Sequence, residues 1–103
     1  MKALYYDVEN LKQILGILKL KNLSQKDLRV CKGLAYYTIK KVIRLFLGYS
    51  NKEAEKVLVK ALDCEDKIIK FLARYALLEA ERLGKRLHKR TLLRLKAIEE
   101  EII

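Results

Sequence analysis

The sequence contains no proline and no tryptophan, and only four of its 103 residues are glycine. Helices therefore meet few interruptions, and the common residues Leu, Lys, Ile, Glu and Ala mostly favour helix. No stretch approaches the roughly 18 apolar residues that a membrane-spanning helix requires. Asp7 also precedes any apolar signal region at the N-terminus. We expect an all-α protein that is neither exported nor membrane-embedded.

Residues for metal binding and catalysis are equally scarce. A single histidine and two cysteines, Cys31 and Cys64, cannot supply the four ligands of a structural zinc site. Both cysteines fall in apolar helical patterns, so we expect buried free thiols in a reducing cytoplasm. No glycine-rich phosphate loop and no pair of carboxylates in an apolar setting is present. The sequence predicts neither an enzyme nor a cofactor or metal.

Positive charge is what the sequence has in excess. Lys and Arg total 23 against 13 Asp and Glu, a formal net charge of +10. Residues 1–50 carry ten basic and three acidic side chains (+7), and residues 51–103 carry thirteen and ten (+3). Because 51% of residues are hydrophobic, the chain can bury a core, and its length suits one domain over 1–103. A small, strongly basic domain indicates a polyanionic partner, with nucleic acid the first candidate.

Apolar periodicity and capping residues predict five or six helices and no strand. The predicted helices cover residues 9–21, 24–32, 36–47, 50–62, 66–83 and 91–102. Ser24 and the Ser50 capping box begin two of them, and Gly33, Gly48 and Gly84 end three. The helix over 66–83 is expected to face inward with Ile68, Ile69, Leu72, Tyr75, Ala76 and Leu83, and the last helix with Leu92, Leu95 and Ile98.

Residues 24–43 have the spacing of a helix-turn-helix. Such a motif needs an apolar residue on the first helix, a turn residue that tolerates positive φ, and two apolar anchors after it. Leu28, Gly33, Leu34 and Ile39 stand at these offsets. The preceding helix, with Leu11, Ile14, Leu15 and Leu18, would bury the inner face of the pair.

Residues 9–48 resemble the helix-turn-helix of the lambda-repressor/Cro-like DNA-binding family. The matching residues are Leu23, Ser24, Gln25, Leu28, Gly33, Thr38 and Ile39. Arg29 and Ala35 depart from the family pattern, and the likeness ends after Gly48. The resemblance implies that a recognition helix over about 36–47 enters the major groove, and that Gln25, which opens the preceding helix, meets the phosphate backbone.

Two sets of DNA-contacting residues follow from this resemblance. Tyr36, Tyr37, Lys40 and Lys41 would read base edges, and Gln25, Lys26, Thr38 and Arg44 would contact phosphates. A second basic cluster, Lys85, Arg86, Lys89 and Arg90, would add phosphate contacts without sequence preference, or else form a solvated loop.

The sequence therefore predicts a sequence-specific transcriptional regulator that binds double-stranded DNA in the cytoplasm, associated with the nucleoid. It would act as a homodimer, with no small-molecule effector evident and with residues 50–103 as a buttress or dimerisation part. One alternative is a packaging protein that binds any duplex. Another is a helical adaptor whose basic face meets an acidic protein, and a third is a helical bundle that binds no DNA.

Three weaker resemblances lie near the C-terminus. Residues 80–98 are similar to a second helix-turn-helix, but its turn is two residues too long. The same stretch resembles the end of a histone fold, with Leu92 where an acid is expected. Arg82 and His88 have the spacing of HEPN ribonucleases, although Leu83 and Gly84 do not suit that motif.

Overall fold

Five helices make up the fold in the computed structural model, which describes residues 2–49 and 51–102, and side chains for 6–49 and 51–99. They are α1 (Lys2–Leu18), α2 (Gln25–Tyr49), α3 (Lys52–Ala61), α4 (Lys67–Arg82) and α5 (Lys89–Ile102). No strand occurs in these ranges, so the predicted all-α fold is confirmed. Within the same ranges, no helix combines the length and apolarity needed to cross a membrane.

The long helix α2 is the centre of the fold, because its packing against α1 and against α4 is the most extensive between helices, and it also contacts α3. Apolar residues recur every three or four positions in each helix and so form one buried side. The largest buried side chains, drawn from all five helices and from the C-cap of α3, are Leu11, Ile39, Val42, Phe46, Leu58, Leu62, Ile69, Leu77 and Ile98. The resulting domain is flat, measuring 41 × 40 × 16 Å between Cα atoms.

Polar side chains cap the starts of three helices. The Ser24 hydroxyl accepts the N–H of Asp27 at 3.1 Å, which confirms Ser24 as the start of α2. Asn51 caps α3 by accepting two backbone N–H groups, while Ser50, the predicted cap, lies outside the described residues. Asp66 caps α4 in the same way.

Gly84 ends α4 as predicted. Its φ is +81°, which L-residues with side chains rarely adopt. The N–H of Lys85 donates to the carbonyl of Ala80 at 2.9 Å, and the N–H of Gly84 donates to the carbonyl of Glu81 at 3.0 Å. These two bonds form a Schellman motif, which satisfies carbonyls at the end of the helix.

A buried carboxylate joins α3 to α5. Glu55 is 9% exposed and accepts the backbone N–H of His88 at 3.0 Å and the Thr91 hydroxyl at 2.5 Å. His88 caps α5 as well, because its Nδ1 accepts the N–H of Arg90 at 3.1 Å. The helix consequently begins at Lys89, two residues before the predicted start.

The predicted helix-turn-helix is wrong, because α2 runs without a break from Gln25 to Tyr49. The predicted turn at Lys32–Gly33 is part of this helix, and positive φ among glycines is found at Gly84 alone in the described residues. The reason lies in the apolar period. Leu28, Cys31 and Ala35 continue into Thr38, Ile39 and Val42 at helical spacing, and a turn at Gly33 would have put the two halves out of phase.

Two further expectations are corrected. Helix α1 covers 2–18 and not 9–21, so it begins seven residues earlier than predicted. Ile68, Tyr75, Leu83 and Leu92, which were expected inside, are exposed. The buried side of α4 is made instead of Ile69 and Leu77 with three alanines, Ala73, Ala76 and Ala80. Small residues there let α4 lie close to its neighbours and leave larger apolar side chains outside.

Candidate nucleic-acid interface

The outward side of α2 carries a concentration of positive charge, which we call the basic face. It comprises Lys26, Arg29, Lys40, Lys41 and Arg44, together with Tyr37, and all six are exposed. At about 100° per residue they occupy one sector of about 120° around the helix. The buried residues Ala35, Ile39, Val42 and Phe46 lie on the opposite side. Packing of α2 into the core therefore directs these cations into solvent.

No acid interrupts the basic face. Asp27 is the one acidic residue in α2, and the helical period places it about a quarter of a turn away. From Lys26 to Arg44 the face is roughly 27 Å long at 1.5 Å per residue. Gly33 lies near its middle, exposed and with open space where a side chain would stand. The face is a straight cationic strip with a shallow central gap.

Tyr37 and Lys41 form a pair on the basic face. The Lys41 Nζ lies 4.3 Å from the centre of the Tyr37 ring, a cation–π contact. A hydrogen bond to Tyr37 is the main cause that raises the pKa of Lys41, and the charge of Asp7 adds to it. Tyr37 remains 62% exposed. An aromatic ring is thus held beside a cation where a ligand can reach both.

Tyr36 and Thr38 do not lie on this face, contrary to the roles that the sequence suggested. The Tyr36 hydroxyl donates to Asp66 Oδ2 at 2.8 Å, and burial with the nearby Asp66 charge raises the pKa of Tyr36. Thr38 is only 7% exposed and faces the core. Both side chains therefore hold α2 in the domain and do not reach a ligand.

Asp66 links α2 to α4. Burial disfavours its charge, but the N–H groups of Ile69 and Ile68, the Tyr36 hydroxyl and Lys32 outweigh that effect and lower the pKa of Asp66. The Lys32 ammonium lies 3.5 Å from the carboxylate. Lys32 is thereby neutralised beside α4, whereas no described acid forms an ion pair with the cations of the basic face.

Gln25 is exposed in the first turn of α2, about a quarter of a turn from the centre of the basic face. It therefore lies at one edge of the strip and away from its middle. Arg29, by contrast, lies on the face although the helix-turn-helix reading gave it no DNA contact. The spacing 26, 29, 33, 37, 40, 44 is the signal that identifies it, because this spacing continues one helical stripe across Gly33.

The second basic cluster belongs to the connection between α4 and α5. Arg86, Lys89 and Arg90 are exposed and Lys85 is half-buried. The segment is anchored by Leu87 against the core and by the hydrogen bond from His88 to Glu55. Glu55 lies on α3, so this connection is held in place through α3, and we treat its cations as a cluster separate from the basic face of α2.

Arg82 and His88 have structural partners. The Arg82 guanidinium is paired with Glu79 one turn earlier, and the His88 ring caps α5. Across the described ranges, no three residues of the types His, Cys, Asp and Glu come together as a metal site would require.

Comparisons with family models, with curated proteins and with solved structures gave no match. The resemblance to the lambda-repressor/Cro-like family therefore rests on seven residues of the sequence. The turn that those residues were expected to form is absent from α2.

Proposed function

We propose that the protein binds double-stranded DNA through the basic face of α2. The observation that carries this proposal is the set of five cations in one sector of a single exposed helix face, none of them in an ion pair with a described acid. Ordinary solvated helices mix charges of both signs, whereas a phosphate backbone selects cations alone. The major groove of B-DNA, about 12 Å wide, admits a single α-helix.

Phosphate contacts would supply most of the affinity. If four of the cations each neutralise one phosphate, a plot of the logarithm of the binding constant against the logarithm of the salt concentration has a slope of about −4. A fourfold rise in salt then weakens binding by roughly two orders of magnitude. Contact through this face therefore predicts steep salt dependence.

Discrimination between sequences would depend on the exposed side chains near the middle of the strip. Tyr37 can contact thymine methyl groups, and Lys40 and Lys41 can donate to guanine acceptors. A regulator of transcription that recognises one site requires these contacts. Gln25, Lys26, Arg29 and Arg44 then set the position on the backbone.

A second candidate is a packaging protein that binds any duplex. It is favoured by the composition of the basic face, whose cations are three lysines and two arginines with no asparagine or glutamine near the middle. Lysine acts as a point charge on phosphate and carries little sequence information. The two candidates share the same face and differ in base discrimination.

The test is fluorescence anisotropy at two salt concentrations with the DNA upstream of the gene and with a scrambled duplex of equal length. Preference for the upstream DNA by about 10³-fold supports the regulator. Equal, salt-sensitive binding supports packaging, and no binding to either duplex refutes both.

A charge-matched pair of variants tests the face itself. Lys40→Gln with Arg44→Gln should lower the salt slope by about 2. Lys52→Gln with Lys96→Gln removes the same two charges from exposed positions on α3 and α5. If both double variants lose affinity equally, net charge and not the basic face explains binding.

A further inference from the structure

The outward side of α4 bears an apolar stripe that nothing in the described chain covers. Ile68, Phe71, Tyr75 and Leu78 are 54%, 64%, 50% and 40% exposed. Their spacing of three, four and three residues is the a/d pattern of a coiled-coil seam. The stripe lies nearly opposite the buried alanines, so α4 is apolar on two sides.

The stripe is large enough to require an explanation. A fully buried aromatic side chain removes about 150–250 Å² from water, so Phe71 and Tyr75 together leave roughly 200 Å² exposed. Ile68 and Leu78 bring the exposed apolar surface to roughly 300–400 Å², the range in which a patch marks an interaction site. A standard interface buries ~800 Å² per partner, so the polar flanks of α4 would have to supply about half of it.

We propose that this α4 stripe is the interface between two copies of the chain, with the two α4 helices packed antiparallel. The order along the stripe is aliphatic, aromatic, aromatic, aliphatic, so it is the same in both directions. A two-fold antiparallel pair has a–d layers, which places Ile68 on Leu78 and Phe71 on Tyr75, each twice. An interface between two identical copies related by a two-fold axis needs such self-complementarity. An interface with a different protein does not need it.

The shape of the stripe fits a helical partner. Phe71, Arg74, Tyr75 and Leu78 border a shallow groove and stand at positions i, i+3, i+4 and i+7. Four residues at this spacing form the hole that receives a knob from a facing helix. In the layers given above, the knob supplied by a second copy would be its Phe71, which faces Tyr75.

Charges at the ends of α4 favour the antiparallel direction. Lys67 begins the helix, and Glu81 lies near its end on the same flank, both at g positions of the heptad. Antiparallel pairing brings Lys67 of each copy beside Glu81 of the other. Near the two-fold axis, Arg74 of one copy meets Arg74 of the other, which is an unfavourable contact between like charges. On the opposite flank, Leu72 of one copy meets Leu72 of the other.

Dimerisation through α4 does not depend on DNA binding, since the stripe and the basic face are on different helices. The dimer would carry two basic faces, one on the α2 helix of each copy. Mass can be measured without DNA, so failure of dimerisation and failure of DNA binding are separate results.

Sedimentation equilibrium of the full chain at micromolar concentrations tests the interface. We expect a mass of twice 12.1 kDa for the wild type. Phe71→Lys should weaken association about tenfold or more, because buried aromatics dominate interfaces. Leu93→Lys changes an equally exposed apolar residue of α5 and should leave the dimer intact. A monomeric wild type, or a dimer that tolerates Phe71→Lys and not Leu93→Lys, overturns the proposal.

Charge reversal tests the direction of pairing. Lys67→Glu and Glu81→Lys should each weaken the dimer, and the double variant should restore it. Both changes suit the helix dipole, an acid in the first turn and a base in the last, so the fold itself is not weakened. A double variant that dimerises less well than either single variant rules out the antiparallel pair.

Discussion

Replacing Gly33 by alanine distinguishes the continuous helix α2 from a helix-turn-helix. In a helix interior, glycine is about 0.8–1.0 kcal/mol less favourable than alanine. A Cβ at Gly33 meets no atom within 4 Å, and the backbone there is helical. The substitution therefore adds no clash and no strain, and we expect stabilisation by about 0.5–1 kcal/mol.

The expected effect is large enough to measure. For a domain of this size, 1 kcal/mol corresponds to a change in melting temperature of about 4–8 °C. Urea and thermal unfolding of wild type and Gly33→Ala, followed by far-UV circular dichroism, give the sign directly. Gly84→Ala is the matched control, because its φ of +81° makes the side chain strained and predicts destabilisation.

A turn at Gly33 would reverse the result. If this residue occupied the left-handed conformation of a helix-turn-helix, Gly33→Ala would destabilise the protein as Gly84→Ala does. Destabilisation by both substitutions would refute the continuous helix and bring back the two-helix reading of residues 24–47.

Two further predictions concern buried polar contacts. Glu55→Ala leaves the N–H of His88 and the Thr91 hydroxyl without their acceptor, and should lower the free energy of unfolding by about 2–3 kcal/mol in urea titrations. A loss below about 0.5 kcal/mol would mean that the α3–α5 link is not formed. Because the pKa of Asp66 is lowered in the folded protein, the Asp66 carboxylate of the unfolded chain is protonated first as pH falls. The stability that this charge contributes is therefore present near neutral pH and is lost below about pH 4. Asp66→Asn keeps a capping side chain and should flatten that part of the pH–stability curve; an unchanged curve would contradict the assignment.

The ends of helices were predictable where local chemistry decides them. Ser24, Asp66 and Gly84 act within four residues of their own positions, through hydrogen bonds and a positive φ that sequence patterns report. Gly33 shows the limit of such reasoning. Glycine permits a turn but does not require one. The apolar residues before and after Gly33 follow one helical period, and this favours a continuous helix.

Part of the candidate site could be predicted, because the exposure of residues on one side of a helix follows from the helical period. Lys26, Tyr37, Lys40, Lys41 and Arg44 are exposed, as a basic stripe at helical spacing suggests. The assignment of Tyr36 and Thr38 to DNA depended on where a recognition helix would begin. In the folded domain Tyr36 donates to Asp66 at the start of α4 and Thr38 is buried in the core, and neither tertiary contact leaves a local signal.

The sides of α4 could not be assigned from the sequence. Ile68 and Tyr75 were expected inside because they are apolar, yet the core accepts the alanine side of the helix. Periodicity identifies two apolar sides but does not say which one the domain buries.

DNA binding through the basic face of α2 can be tested directly by the acetylation rate of individual lysines with and without a DNA duplex, read by mass spectrometry. If the basic face of α2 binds DNA, Lys26, Lys40 and Lys41 are protected while Lys52 and Lys96 react at unchanged rates. Protection confined to Lys85 and Lys89, or spread equally over all lysines, would contradict binding through α2.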